Sequence, residues 1–417
     1  MKNFFKTYKS VIILLAAIII GAIVGIAFGE KAAVLSPLGD IFLNLMFVVI
    51  VPLIFLSIST SISKMKQPKR LGKIMVTIIA MFVITSLVAV LIGIAVAYPV
   101  KLVDTDDGEQ IKQSLELQDE SQPEEEDLTI LERTVDTLTV NDFSKLLSKD
   151  NIIAIIVFSI LFGIAINMAG EKAKPVTEFL DSAYEIVMKL IQIIMYYAPI
   201  GLGCYFAALV GTFGGSIAVG YVKTFVLYII VSILFFIIVY TLYAFIAGGK
   251  KGVVAFWKNI LPATITALAT CSSAASIPVN AEASKKIGVS SDIADTMIPL
   301  GTSFHKDGSI IGSVFKIMFL VCLFGTSSGI GQIVVVALIA NLLITAVPIG
   351  GGTISEMLII TMMGYPVAAL PILTIIATII DAPATVLNVV GDTSSSMLAA
   401  RIIDGKDWMD KKEKVLE

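Results

Sequence analysis

Histidine is almost missing from this 417-residue sequence: there is one, His305. A single histidine excludes histidine-rich metal centres, and no serine–histidine–aspartate order with a strand–turn–helix context accompanies it. Cysteine is equally scarce, with three residues. Cys204, Cys271 and Cys322 stand in apolar stretches without metal-ligand spacing, so neither a disulfide framework nor a metal centre is expected. Charge is thin at 15% of residues, where soluble proteins carry roughly a quarter. The net charge of −3 leaves no basic surplus to displace counterions from phosphates, which excludes nucleic acid as a partner. No catalytic constellation is legible, so the chain is not read as an enzyme.

What is present is apolar residue, 57% of the chain, with a mean hydropathy of +0.93. That content excludes disorder. Runs approaching the ~20 residues that cross a bilayer recur along the sequence and do not alternate, so the spans are helices in a polytopic membrane protein.

Charge orders these runs. Lys2, Lys6 and Lys9 precede the run Val11–Phe28, which is long and lacks a clean cleavage site; it reads as an uncleaved first span. A second run, Leu38–Ile62, ends at Lys64, Lys66, Lys69, Arg70 and Lys73. Positive charge collects on the cytoplasmic side, so both termini are expected inside an inner (plasma) membrane. The third run, Ile74–Val100, leads outward to Asp104–Asp127, where eleven carboxylates and one lysine form a solvated outer loop. Asn151–Met168, Phe179–Val210 and Val222–Ala247 continue the alternation, with lysines at each inner turn.

The last third differs. Leu261–Asn280, Met297–Phe324, Val334–Met363 and Ile372–Leu398 carry serines, threonines, prolines and charges at membrane depth. Charged residues there face a protein interior or a water-filled path, and broken helices are tolerated only where they are buried or line a cavity. Two interrupted segments, each followed by a helix with carboxylates, read as an internal repeat around a midplane site. Asp381, Thr385, Asn388 and Asp392 are spaced four, three and four, and so form one helical stripe. Their chemistry suits a zwitterion: Asp381 accepts from an ammonium, Thr385 assists, Asn388 donates to a carboxylate, and Asp392 supplies an oxygen to a cation. The bland alternative is a buried polar stripe satisfied by neighbouring helices. In Gly301–Ser309 a cation sits beside an anion; a Lys306–Asp307 pair requires an unwound helix, because sequence neighbours diverge by ~100°. Thr270–Asn280 fits the tip of a re-entrant hairpin.

The order of a Ser-Ser-x-x-x-x-Pro hairpin (Ser272, Ser273, Pro278), an Asp-Gly-Ser helix (Asp307–Ser309), a proline-containing second hairpin and Asp-x-x-x-Thr-x-x-Asn-x-x-Gly-Asp (Asp381–Asp392) resembles the glutamate transporter homologues, the dicarboxylate/amino acid:cation symporters. The resemblance implies an all-α homotrimer in the lipid bilayer. Each protomer would have eight transmembrane helices, two re-entrant hairpins in inverted repeats, and an elevator mechanism. It divides the chain into scaffold spans one and two (1–73), span three of the transport domain (74–100), the acidic outer loop (101–150), scaffold spans four and five (151–218) and the rest of the transport domain (219–417). The last part would hold span six, hairpin one (257–288), span seven (290–326), hairpin two (332–370), span eight (371–402) and a cytoplasmic tail.

Residue by residue, the resemblance places Asp381 at the substrate ammonium, Thr385 near it and Asn388 at the α-carboxylate. Ser272 and Ser273 fall at the first hairpin tip, and Ser309 near the substrate side chain. Asp307, Asn388, Asp392, Thr85 and Ser86 become sodium ligands. Two departures follow. Ala384 and Cys271 stand where acidic-substrate members carry an arginine, so a second carboxylate would be desolvated unpaired. A small neutral amino acid of the serine, threonine or alanine kind is therefore expected. His305 and Lys306 replace the asparagine and methionine of the usual motif, which marks them as coupling residues. They leave Na+ favoured and a proton-coupled or Na+-independent amino acid or dicarboxylate carrier as the alternative. No cofactor beyond Na+ or H+ is expected. The second hairpin, Asn341–Gly350, lacks small residues before Pro348. An intramembrane aspartyl protease using Asp307 and Asp392 is a distant alternative, and the Tyr-Asp and Gly-x-Gly-Asp pair such enzymes need is missing.

Overall fold

The computed structural model describes residues 9–63, 71–103, 139–148, 151–342 and 352–409, and every regular element among them is helical. In chain order these are α1 (Lys9–Phe28), α2 (Ser36–Ser63), α3 (Leu71–Ala97), the single turn α4 (Phe143–Leu146), α5 (Ile152–Ala169) and α6 (Lys174–Phe213). Then follow α7 (Gly215–Leu234), α8 (Tyr240–Asn259), α9 (Leu261–Thr270), α10 (Ser273–Ile287), α11 (Ser291–Phe304) and α12 (Asp307–Leu323). The last are α13 (Ile330–Leu342), α14 (Gly352–Met363) and α15 (Leu370–Ile403). The acidic stretch Asp104–Asp127, the basic turn after α2 and the second-hairpin tip around Pro348 lie outside the described residues.

Five of the described segments are long and apolar enough to cross a membrane: Ile12–Phe42, Val76–Ala97, Ala154–Thr212, Ile217–Asn259 and Val367–Ile403. Val51–Thr60, Leu261–Thr270 and Ile330–Asn341 are shorter apolar helices. Large apolar side chains stay exposed on their outer faces, among them Ile19, Ile20, Ile23 and Ile26 on α1 and Ile237, Ile238, Leu242 and Phe245 around the start of α8. Patches of that extent are stable against lipid, not water. Helix association in lipid relies on close packing, and the chain supplies it with small residues. The seam of α1 with α6 sets Gly21 and Gly25 against Gly203, Ala207 and Gly211; a Cβ at Gly21 would collide with the Gly203 carbonyl oxygen.

Packing falls into two groups. The first joins α1, α2, α5 and α6. In the second, α15 lies at the centre and touches α3, α7, α8, α9, α10, α11, α12 and α14. α3, though early in sequence, packs on α12, α13 and α15. Few contacts cross between the groups; one is the Tyr205 hydroxyl donating to the Ala368 carbonyl at 3.2 Å.

Two apparent spans are longer or less regular than the apolar runs. α6 continues through Pro199 from Lys174 to Phe213, beyond the run Phe179–Val210 at both ends. The run Val222–Ala247 contains a π-turn at Phe235–Val239, and the helix after it breaks at Gly248 and Gly249.

Candidate functional site

Three helix breaks converge on the middle of α15. The first separates α9 from α10. Cys271 takes a left-handed conformation (φ 47°, ψ 34°) that ends α9. Ser272 then caps α10, its hydroxyl accepting from the Ala275 N–H at 3.2 Å. Serine suits this position because its oxygen satisfies an amide of the first turn that has no helical partner. Ser273 opens α10 half-buried, and Cys271 lies within electrostatic reach of Asp381.

The second break separates α11 from α12. His305 is extended (φ −122°, ψ 114°) and Lys306 leaves helical geometry (φ −145°, ψ 63°) before Asp307 starts α12. The first turn of α12 leaves free amides, and Asn388 on α15 takes them. Its Oδ1 accepts from the Gly308 N–H at 2.9 Å and the Ser309 N–H at 3.2 Å, while its Nδ2 donates to Ser309 Oγ at 3.0 Å. The Tyr228 hydroxyl holds the same turn from the other side, donating to the Gly308 carbonyl at 2.8 Å. Asn388 and Ser309 are thus brought together as the sequence stripe requires, but Asn388 spends most of its capacity inside the protein. Thr385 and Ala384 are buried on the same helix, and Asp381, half-buried, lies within electrostatic reach of Lys316 and Glu356.

The third feature is the π-turn before α8. A π-turn adds a residue to the helical turn and re-aims the side chains that follow. Here it directs Tyr240 inward, where its hydroxyl lies 2.6 Å from the Leu387 carbonyl and 3.2 Å from Asp307 Oδ2.

Between these elements stands His305, fully buried. Its Nδ1 is 3.0 Å from Asp392 Oδ1; its Nε2 is 2.8 Å from Thr85 Oγ1 and 3.1 Å from Asp307 Oδ1. Phe82 stacks on the ring with centroids 4.8 Å apart. Gly391 leaves the space: a Cβ there would lie 2.9 Å from Asp307 Oδ2 and 3.1 Å from His305 Cε1. Asp307 and Asp392, expected as two separate sodium ligands, therefore meet at one ring. The adjacent-residue pair Lys306–Asp307 considered from sequence gives way to His305 and Tyr240 as the partners of Asp307, because the unwound backbone turns the histidine inward. The same ring stands between the Oδ1 atoms of the two carboxylates. Asp307 Oδ1, Asp392 Oδ2 and Ser86 Oγ are buried without a hydrogen-bond partner, although Asp307 Oδ1 lies within ion-pair distance of Nε2.

Sequence reasoning missed Tyr240, Phe82, and Lys316 with Glu356. Lys316 Nζ lies 2.8 Å from Glu356 Oε1 in the interior, tying α12 to α14. A lysine and a glutamate inside apolar runs were the available signal for that pair. For Tyr240 and Phe82 there was none, since aromatic residues are ordinary in spans.

A bundle of apolar helices, broken at its centre around buried carboxylates and amides, defines the class: a polytopic membrane carrier with an interior polar site. The chain belongs to the sodium:dicarboxylate symporter family, whose model matches residues 11–402. It is 29% identical over 400 residues to the proton/sodium-glutamate symport protein of Bacillus caldotenax, covering 92% of each chain. It is 27% identical over 416 residues to the C4-dicarboxylate transport protein of Bacillus subtilis, covering 95% of this chain and 94% of that one. A C4-dicarboxylate transport protein of Agrobacterium fabrum is 29% identical over 331 residues, 79% of this chain and 72% of the relative.

Sodium, which the family description names, can be tested against these residues. A cation shared by Asp307 Oδ1, Asp392 Oδ1 and Thr85 Oγ1 would have to displace the imidazole, whose nitrogens lie 2.8–3.1 Å from those oxygens. With the ring in place, the residues do not fit a sodium ion between the two carboxylates.

Proposed function

We propose that this chain is a secondary active carrier for an amino acid or dicarboxylate, and that it is proton-coupled or sodium-independent. One observation carries the coupling reading: the His305 ring stands between Asp307, Asp392 and Thr85. The substrate class draws support from relatives named for glutamate and C4-dicarboxylates. The pocket proposed for it is bounded by Ser272 and Ser273 at the α9–α10 tip, Ser309, and Asp381, Ala384, Thr385 and Asn388 on α15. The carrier is further proposed to be a homotrimer of eight spans and two hairpins in the inner membrane, both termini inside. The helices around α15 would move as the transport domain against the group around α6.

Uptake into proteoliposomes under imposed sodium or proton gradients tests this reading. Glutamate, aspartate, C4-dicarboxylates, serine, threonine and alanine form the panel. Saturable uptake of a panel member that persists without sodium is expected. Accumulation driven only by a sodium gradient would overturn it.

A second reading, a small neutral amino acid as substrate, rests on Ala384. It is buried and offers no guanidinium to a distal carboxylate, and neither does Cys271. On that reading Ala384→Arg moves preference toward aspartate by at least tenfold in competition. Unchanged competition in a folded variant removes Ala384 from the pocket.

A further inference from the structure

We infer that His305 is a built-in counter-cation: a side chain that permanently occupies the place of an exchangeable ion between Asp307 and Asp392. The inference deepens the sodium-independent reading above and rests on it. Two carboxylates with no solvent exposure need positive charge beside them, because an unpaired buried anion is strongly disfavoured. The hydrogen bonds say what the ring supplies. Nε2 faces Thr85 Oγ1 at 2.8 Å, whose hydroxyl has the Met81 carbonyl at 2.8 Å as an acceptor of its own, and the Asp307 carboxylate at 3.1 Å. Asp392 as a carboxylate only accepts, and it faces Nδ1 at 3.0 Å. Both ring nitrogens thus face carboxylate oxygens, a setting that suits the positively charged form of the ring.

The position is built from several elements. The break at His305 and Lys306 frees the backbone to turn the ring inward, Phe82 on α3 covers its face, and Gly391 on α15 vacates its edge. A tethered cation cannot leave during a transport cycle. It has no concentration on either side of the membrane, so no gradient acts through it. His305 is in this sense a positioning residue: it fixes the geometry and charge balance of the α3–α12–α15 junction without touching the transported solute.

The test is thermal unfolding of the purified full-length protein in lipid nanodiscs, in sodium chloride against choline chloride at equal ionic strength. The wild type is expected to show no sodium-specific shift. His305→Asn is expected to gain a saturable, sodium-specific rise in Tm, on the order of 5 °C. The trimmed side chain exposes oxygens of Asp307, Asp392, Thr85 and the unpartnered Ser86 to an ion. His305→Asn combined with Asp392→Asn is expected to lose that gain. A saturable sodium-specific rise in the wild type overturns the inference, and so does a folded His305→Asn protein without one. Should His305→Asn fail to fold, His305→Gln and the wild-type arm decide. The assay needs no substrate. Failure of the carrier reading shows instead as an absence of uptake for every solute in the panel.

Discussion

Asn388 shows how one side chain can serve both a fold and a pocket. Its oxygen caps the first turn of α12 through two amides, and its amide group holds Ser309. Removing it leaves buried donors without an acceptor, which costs about 1–3 kcal/mol. Asn388→Ala is therefore expected to lower the unfolding temperature and weaken substrate binding together, as read by melting with and without solute. Asn388→Asp keeps an acceptor for the two amides and can accept from the Ser309 hydroxyl in place of donating to it, so it should recover part of the stability. Equal stability of the wild type and Asn388→Ala would mean that water replaces the cap. Tyr240 and Phe82 matter at the same scale. Neither was legible in the sequence, because nothing in a local pattern tells which aromatic of an apolar run turns toward a carboxylate.

Among helices, the buried pair Lys316–Glu356 joins α12 to α14, and the Thr374 hydroxyl reaches Glu356 Oε2 at 3.4 Å. A buried pair contributes little net stability over an apolar substitute, yet losing one partner strands the other charge. Lys316→Met alone is expected to destabilise by about 3–5 kcal/mol. The double variant Lys316→Met with Glu356→Leu should recover most of that, measured as a double-mutant cycle in denaturant. A double variant as unstable as the single one would show that α14 needs the charge itself. The helix break at His305–Lys306 was partly legible: a paired lysine and aspartate in adjacent positions demands unwinding. The break is present, but the aspartate pairs with the histidine.

Among the described residues, two packed groups of helices share few contacts. If these groups slide during transport, the bonds that cross between them must be remade in each cycle. Tyr205→Phe removes one such bond, to the Ala368 carbonyl. It is expected to change the maximal uptake rate by a few-fold, with little change in half-saturating solute concentration. A change confined to half-saturation would place Tyr205 in the solute path instead. The exposed apolar faces of α1 and α8 fit the same picture, since lipid is the solvent that tolerates them.

Some of this was settled by the chain alone. Hydropathy and scarce charge determine a helical membrane protein, because a bilayer admits only segments that satisfy their own backbone. The spacing of Asp381, Thr385, Asn388 and Asp392 determines a single polar stripe, because helical periodicity is local. Which charge meets which was decided only in three dimensions. The partners of His305 come from α3, α12 and α15, separated by up to 220 residues at the Thr85–His305 contact. Pairings of that kind depend on how helices cross and where a backbone unwinds, and neither is written in the periodicity of any one segment.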